Sequence, residues 1–217
     1  MTISKFIFSA TFIVAAFTFG SCSKDDENDL NDHEYVDLDL PSGTLWATCN
    51  VGANTPEAPG YYFAWGETTP KESYSWSNYK WCDGSGPYES MTKYTPADGK
   101  KRLDSKDDAA TANWGSGWCT PSPEQLKELF EFTETNWTPN GVSFANNGKI
   151  LFIPRAGYKE KEKVFYWREV LCVWSNSNEL RGKNGNCAIC VYTPPLGITT
   201  EVRFSGLPVR PVRRHNK

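Results

Sequence analysis

The sequence predicts an α+β domain built from short strands, one good helix and long ordered loops. Three observations carry this. Only the stretch beginning at about Pro123 sets apolar residues at helical spacing, with Leu126, Leu129 and Phe130 on one stripe. Short runs of aromatic and β-branched residues alternate at period two on either side of it. Fourteen Pro and 17 Gly interrupt these runs, so long helices have little room. The 217 residues, 39% hydrophobic, suffice for one domain with a sizeable core.

The first 21 residues stand outside that domain. Lys5 precedes a continuous apolar run from Phe6 to Phe19, and Gly20 and Ser21 lead to Cys22. This pattern predicts a secretion signal, too short for a stable membrane span. Small residues before a cysteine resemble a bacterial lipobox, which implies that Cys22 is diacylated and anchors the chain to a membrane. An ordinary cleaved signal with a chance cysteine is the alternative. Residues 22–34 are almost wholly polar and acidic, as in a disordered tether. Within them Ser23, Lys24, Asp25, Asp26 and Glu27 resemble the export tag of Gram-negative lipoproteins displayed on the outer membrane, although a solvated linker has the same composition.

The domain spans 35–214, with 215–217 as a tail. Alternation from Tyr35 to Leu40, a turn at Pro41-Ser42-Gly43 and alternation from Leu45 to Val51 predict a hairpin whose core face carries Leu45, Ala47, Cys49 and Val51. Tyr61 to Glu67 reads as a short aromatic strand, and 68–106 as a long ordered loop region. Asp107 to Ala112 predicts one helical turn. Ser122, Pro123 and Gln125 form a capping box with Pro at the first helical position, which starts the main helix. Further strands are expected at Lys149 to Pro154, Val170 to Ser175, Asn186 to Tyr192 and Thr199 to Phe204. Gly157 to Arg168 reads as a charged hairpin, and Pro208 to Arg213 as a proline-broken edge strand.

Charge and cysteines narrow the chemistry. The formal charge is −3, and setting aside Lys5 makes the rest more acidic, which argues against a nucleic-acid partner. Six cysteines follow Cys22: Cys49, Cys82, Cys119, Cys172, Cys187 and Cys190. An exported chain permits disulfides, with about 15 pairings open to six cysteines. Alternation also suits Cys49 and Cys172 to reduced core positions.

Seven motifs in order point to one family. They are L-W-A-T-C-N-V-G-A at 45–53, Y-Y-F-A-W-G-E-T at 61–68, D-D-A-A-T-A-N-W-G at 107–115, G-W-C-T-P-S-P-E-Q-L-K-E-L at 117–129, I-P-R-A-G-Y at 153–158, V-W-S-N-S at 173–177 and V-R-P-V-R at 209–213. Together they resemble the Fibrobacter succinogenes major paralogous domain family. That family is similar to the C-type-lectin-like fold shared with formylglycine-generating enzymes. The resemblance implies a twisted antiparallel sheet, one or two helices and long irregular loops. The chain departs from the pattern at Cys119, where Arg is usual, and at Gln125, where Glu is usual.

Catalytic constellations find little support. The two histidines, His33 and His215, lie outside every predicted element, which argues against Ser/His/Asp or Cys/His hydrolysis and against zinc. Pro211 stands where the oxidases of the related fold carry a needed cysteine. Cys187-Ala188-Ile189-Cys190 is a C-x-x-C on a strand, so its thiols point to opposite faces. Glu67 with Asp107 or Asp108 is the carboxylate pair available to a glycosidase; adjacent Asp107 and Asp108 can also cap a helix or hold Ca²⁺.

The expectation is therefore a non-catalytic surface lipoprotein, without cofactor or resident metal, that binds a glycan or a protein. Trp65, Trp118 and Trp174 are expected in the core. Trp76, Tyr79, Trp81 and Trp167 are the aromatic candidates for a ligand face. Asn176, Asn178, Arg181, Lys183 and Asn184, the polar run at and after the end of V-W-S-N-S, resemble the variable region of receptors diversified by retroelements, although a plain solvated loop has the same composition. The binding surface is expected around Ser175 to Asn186 and Pro194 to Thr200. A polysaccharide-acting enzyme with paired carboxylates, and a component of a surface fibre, remain the alternatives.

Overall fold

A computed structural model describes residues 33–84, 91–179, 187–193 and 195–214. Cys22, the export tag, Arg181, Lys183 and Asn184 lie outside the described residues. The chain is α+β, with small antiparallel sheets and two helices. Among the described residues no helix is long and apolar enough to cross a membrane.

Strands β1 (Tyr35–Asp37) and β2 (Thr44–Ala47) form the expected hairpin, and β11 (Val212–Arg214) adds to the far side of β2. All four residues of β2 are buried, because Ala47 faces one core and Trp46 a second. Helix α1 (Ala109–Trp114) follows its cap Asp108, and α2 (Pro123–Glu131) follows Ser122. The capping box is formed: Gln125 N donates to Ser122 Oγ at 3.2 Å, and Ser122 N donates to Gln125 Oε1 at 2.9 Å. Gln125 Nε2 also donates to Thr44 Oγ1 at 2.9 Å, tying the helix start to β2. A glutamate there could accept but not make that donation at neutral pH.

Next come β3 (Glu134–Trp137), β4 (Gly141–Asn146) and β5 (Lys149–Pro154), one meander, then the hairpin β6 (Tyr158–Glu160) and β7 (Lys163–Phe165). The last sheet joins β8 (Cys172–Glu179), β9 (Cys187–Tyr192) and β10 (Gly197–Val202). Its first two strands divide the molecule. Cys172, Trp174, Ala188 and Cys190 face a core holding Trp65, Trp114 and Trp118, while Val173 and Val191 face one holding Trp46, Leu126, Leu129 and Phe144. The apolar stripe of α2 thus docks on the opposite side of β8 from the tryptophans of its own capping segment. Trp174 Nε1 donates to Phe63 O at 2.7 Å and Trp65 Nε1 to Ser175 O at 2.9 Å, so both indoles are satisfied in the core.

Several expectations need correction. Tyr61 to Glu67 is not a strand: Phe63 exchanges two hydrogen bonds with Leu207, and the left-handed Gly66 then turns the chain away. Strands β3 and β4 went unanticipated, since β3 is exposed throughout and has no apolar alternation. His33 does not belong to a free tether; its ring stacks on Trp114 at 3.6 Å between centroids, and burial lowers its pKa. Cys49, Cys172, Cys187 and Cys190 carry free thiols, and burial pushes Cys172 and Cys190 far up, which makes them inert.

Candidate functional site

The candidate residues of the long loop region are mostly spent on structure. Residues 68–84 fold back over Tyr62 and Ala64 and make a third, aromatic cluster. Tyr79 is buried there: its hydroxyl donates to Trp65 O at 2.7 Å, accepts from Arg203 Nε at 2.9 Å, and is pushed up by desolvation. Trp76 packs edge-on against Phe204 and Tyr79. Trp81 donates to Gly66 O at 2.9 Å, and the ammonium groups of Lys80 and Lys93 sit over its ring at 4.4 and 4.9 Å. Tyr79 is thus closed to a ligand, and Trp76 and Trp81 are half-buried against their neighbours. Asn178 is likewise buried, donating to Tyr94 O at 2.7 Å, and Asn176 is half-buried with its carbonyl oxygen taken by Ser177 Oγ. Strand β8 runs on through both, where a loop was expected.

The acidic residues are also engaged. Glu67 accepts from Lys80 N at 2.7 Å and pairs with Lys71 at 2.9 Å. Asp107 holds Lys93, Tyr94 and Lys80; desolvation works to raise its carboxyl, but these hydrogen bonds together keep it below the usual range. Asp108 caps α1 through Thr111 N and accepts from Thr120 N and Thr120 Oγ1, while burial raises its pKa. Capping, one of the three roles open to Asp108 from sequence, is thus the one it fills. Among the described residues no three His, Cys, Asp or Glu side chains cluster as a metal site.

Of the candidate aromatics, Trp167 alone is exposed, at 45%, and it is not isolated. Val164, Phe165, Tyr166 and Trp167 are four consecutive exposed apolar residues, a ridge in sequence along β7 and the turn after it, with Val164 and Phe165 on opposite faces of the strand. The turn is held under backbone strain: Tyr166 and Arg168 both have left-handed φ, at 53° and 61°. Glu169 N and Val170 N close it by donating to Tyr166 O, at 3.0 and 3.1 Å. Gly157 lets β7 approach, because a Cβ there would lie 2.0 Å from Phe165 O.

An open cleft of about 570 Å³ adjoins the turn, lined by Trp137, Thr138, Pro139, Asn140, Arg155 and Arg168. Three segments meet in its wall. Arg155 N donates to Asn140 O at 2.8 Å and Arg168 N donates to Arg155 O at 3.0 Å, which joins the β3–β4 turn, the end of β5 and the strained turn. Near the ridge also lies a groove of about 470 Å³ along β10, bounded by Tyr192, Ile198 and Glu201 among others. Tyr158 links ridge and groove: burial, then Glu160, Glu201, Tyr192 and Tyr166, push its phenol up to about 12. This groove overlaps the segment 194–200 expected to bind.

Comparison of the chain with protein-family models, with curated proteins and with solved structures finds no match.

The site therefore rests on its own geometry. Trp137, Arg155 and Arg168 went unrecognised as site residues in the sequence. Two signals were there to read: the turn sequence W-T-P-N at 137–140, and the aromatic run F-Y-W-R at 165–168 ending in a cation.

Proposed function

We propose that the chain is a surface lipoprotein whose domain binds a glycan without catalysing a reaction on it. The observation that carries the reading is the exposed ridge Val164 to Trp167 beside a cleft floored by Trp137, since flat aromatic faces next to fixed polar groups suit sugar rings. Two open flanks, cleft and groove, leave room for a chain of sugar residues. Glu67, Asp107 and Asp108, the carboxylates the sequence offers for catalysis, have their oxygens taken by internal donors, which counts against a catalytic pair among them. Glu201, raised by burial, is the carboxylate on the groove, and the turnover measurement tests it. A general acid or nucleophile needs a carboxylate free to meet substrate.

The lipid anchor at Cys22, the tag from Ser23 to Glu27 and display on the outer membrane belong to this proposal. So does membership of the Fibrobacter succinogenes major paralogous domain family with its C-type-lectin-like fold. They rest on the lipobox-like junction and on the order of the seven motifs, and the α+β architecture is compatible with them.

The test is a glycan panel incubated with the purified protein, read for both binding and turnover. Binding without turnover is expected, weakened about fivefold by Trp167→Ala, as stacking losses of about 1 kcal/mol imply. Turnover of any glycan would replace this reading with the polysaccharide-acting enzyme.

A further inference from the structure

Two arginines line the Trp137 cleft, and among the described residues no carboxylate lines it with them. Arg155 lies 5.3 Å from the Trp137 ring centroid, and its Nε is buried without a hydrogen-bond partner. Arg168 lines the same cleft, on the turn that holds it at φ 61°. Neither takes part in an ion pair among the described residues, and no carboxylate lines the cleft. In a chain with a formal charge of −3, this is a local reversal of sign.

A charged N–H without an acceptor is costly, so a guanidinium that the fold leaves without acceptors gains more from one supplied from outside than a guanidinium already satisfied. Guanidinium forks match planar carboxylates and sulfates better than any neutral group. The indole of Trp137, 39% exposed, and the side-chain amide of Asn140 supply an apolar face and a hydroxyl partner in the same cleft. We infer that the cleft is a subsite for the anionic group of an acidic saccharide, its carboxylate or sulfate held by Arg155 and Arg168 and its ring laid against Trp137. This rests on the glycan reading and names the class of sugar within it. Nucleic acid would need a far larger basic face than two arginines.

The experiment measures binding of the full chain in detergent to trigalacturonate, to a sulfated galactan oligomer, and to the neutral galactan oligomer of equal length, with polyglutamate as a non-sugar polyanion. At least one acidic oligomer is expected to bind about tenfold tighter than the neutral one at low salt, with the advantage shrinking as salt shortens the Debye length to about 3 Å near 1 M. Which acidic oligomer wins tells carboxylate from sulfate. Arg168→Asn, whose side chain tolerates left-handed φ, is expected to remove the advantage while leaving the unfolding midpoint unchanged. Arg155→Gln is the second variant, with the same expected loss. Equal binding of acidic and neutral oligomers, an advantage that survives both substitutions, or polyglutamate binding as tightly as the sugars would each overturn the subsite alone. Silence across the whole panel would overturn the glycan reading and the subsite with it.

Discussion

Arg203 and Arg210 differ from Arg155 and Arg168 in one respect that separates scaffold from surface. The first two are fully buried and lie among acceptors. Arg203 donates to Tyr79 Oη, Lys93 O and Tyr94 O, with Trp65, Tyr79 and Tyr94 rings around it. Arg210 donates to Asn50 Oδ1 at 2.8 Å, to Ala47 O at 3.0 Å and to Thr48 O, and desolvation brings its pKa down to about 9. The second two have no side-chain acceptor among the described residues. Arg210 Nη2 is left without a partner among the described residues, as Arg155 Nε is, so the pairs are separated by the acceptors that Arg203 and Arg210 do have. A cation the fold has furnished with acceptors serves the fold, whereas one given none is available to a ligand. The sharpest way to break this comparison is Arg210→Met against Arg168→Asn, with stability read from urea unfolding. Stranding three buried acceptors at about 1–3 kcal/mol each makes a loss of at least about 3 kcal/mol the expectation for Arg210→Met. Arg168→Asn should stay within about 0.5 kcal/mol of the parent. Comparable losses would remove the distinction.

The indoles sharpen it at a smaller scale. Trp174→Phe deletes the donor to Phe63 O and a little core volume, so a loss of about 2 kcal/mol is expected. Trp167→Phe removes no internal hydrogen bond from an exposed ridge and should shift stability by less than about 0.5 kcal/mol, while glycan binding weakens. Thermal unfolding of both variants checks the contrast, and an equal shift would mean that Trp167 supports the hairpin instead of presenting a face.

Sequence legibility follows the same division. The capping box at Ser122, the hairpin through Gly43, the cap at Asp108 and the burial of Trp65, Trp118 and Trp174 were readable, because each depends on residue types at short range or on period-two alternation. The site was not. Tyr79 and Trp81 sit in a segment with no periodicity, and the burial of Tyr79 goes with Arg203, 124 residues downstream, being enclosed with it. Trp167 stood out as an aromatic in charged surroundings, but Arg155 and Trp137 reach it only through the junction of three distant segments. A buried arginine and an open one look alike in sequence; only the acceptors brought by tertiary packing tell them apart.

Titration gives the smallest expected effect and tests the saturated side of the comparison. Lys93 and Lys100 hold the Asp104 carboxyl down to about 2 from an ordinary 3.8, and Asp107 is also lowered. A depressed carboxyl contributes stability that is present above its unfolded value and lost as pH falls through its folded one. Stability should therefore decline from about pH 4 to about pH 2, and Asp104→Asn should flatten that decline. At the basic end the sign reverses. Burial works to lower Lys93, but its bonds to Asp104 and Asp107 hold it above 10.5, so that contribution is present below this value and lost as pH climbs past it. Asp104 is a third exposed, so solvent screens the pair and the slope will be modest. Arg155 and Arg168, in a cleft that no carboxylate among the described residues lines, should add nothing to it. If Arg168→Asn altered the acid limb as much as Asp104→Asn, an unrecognised carboxylate would have to neighbour the cleft, and the case for an external anion would fall.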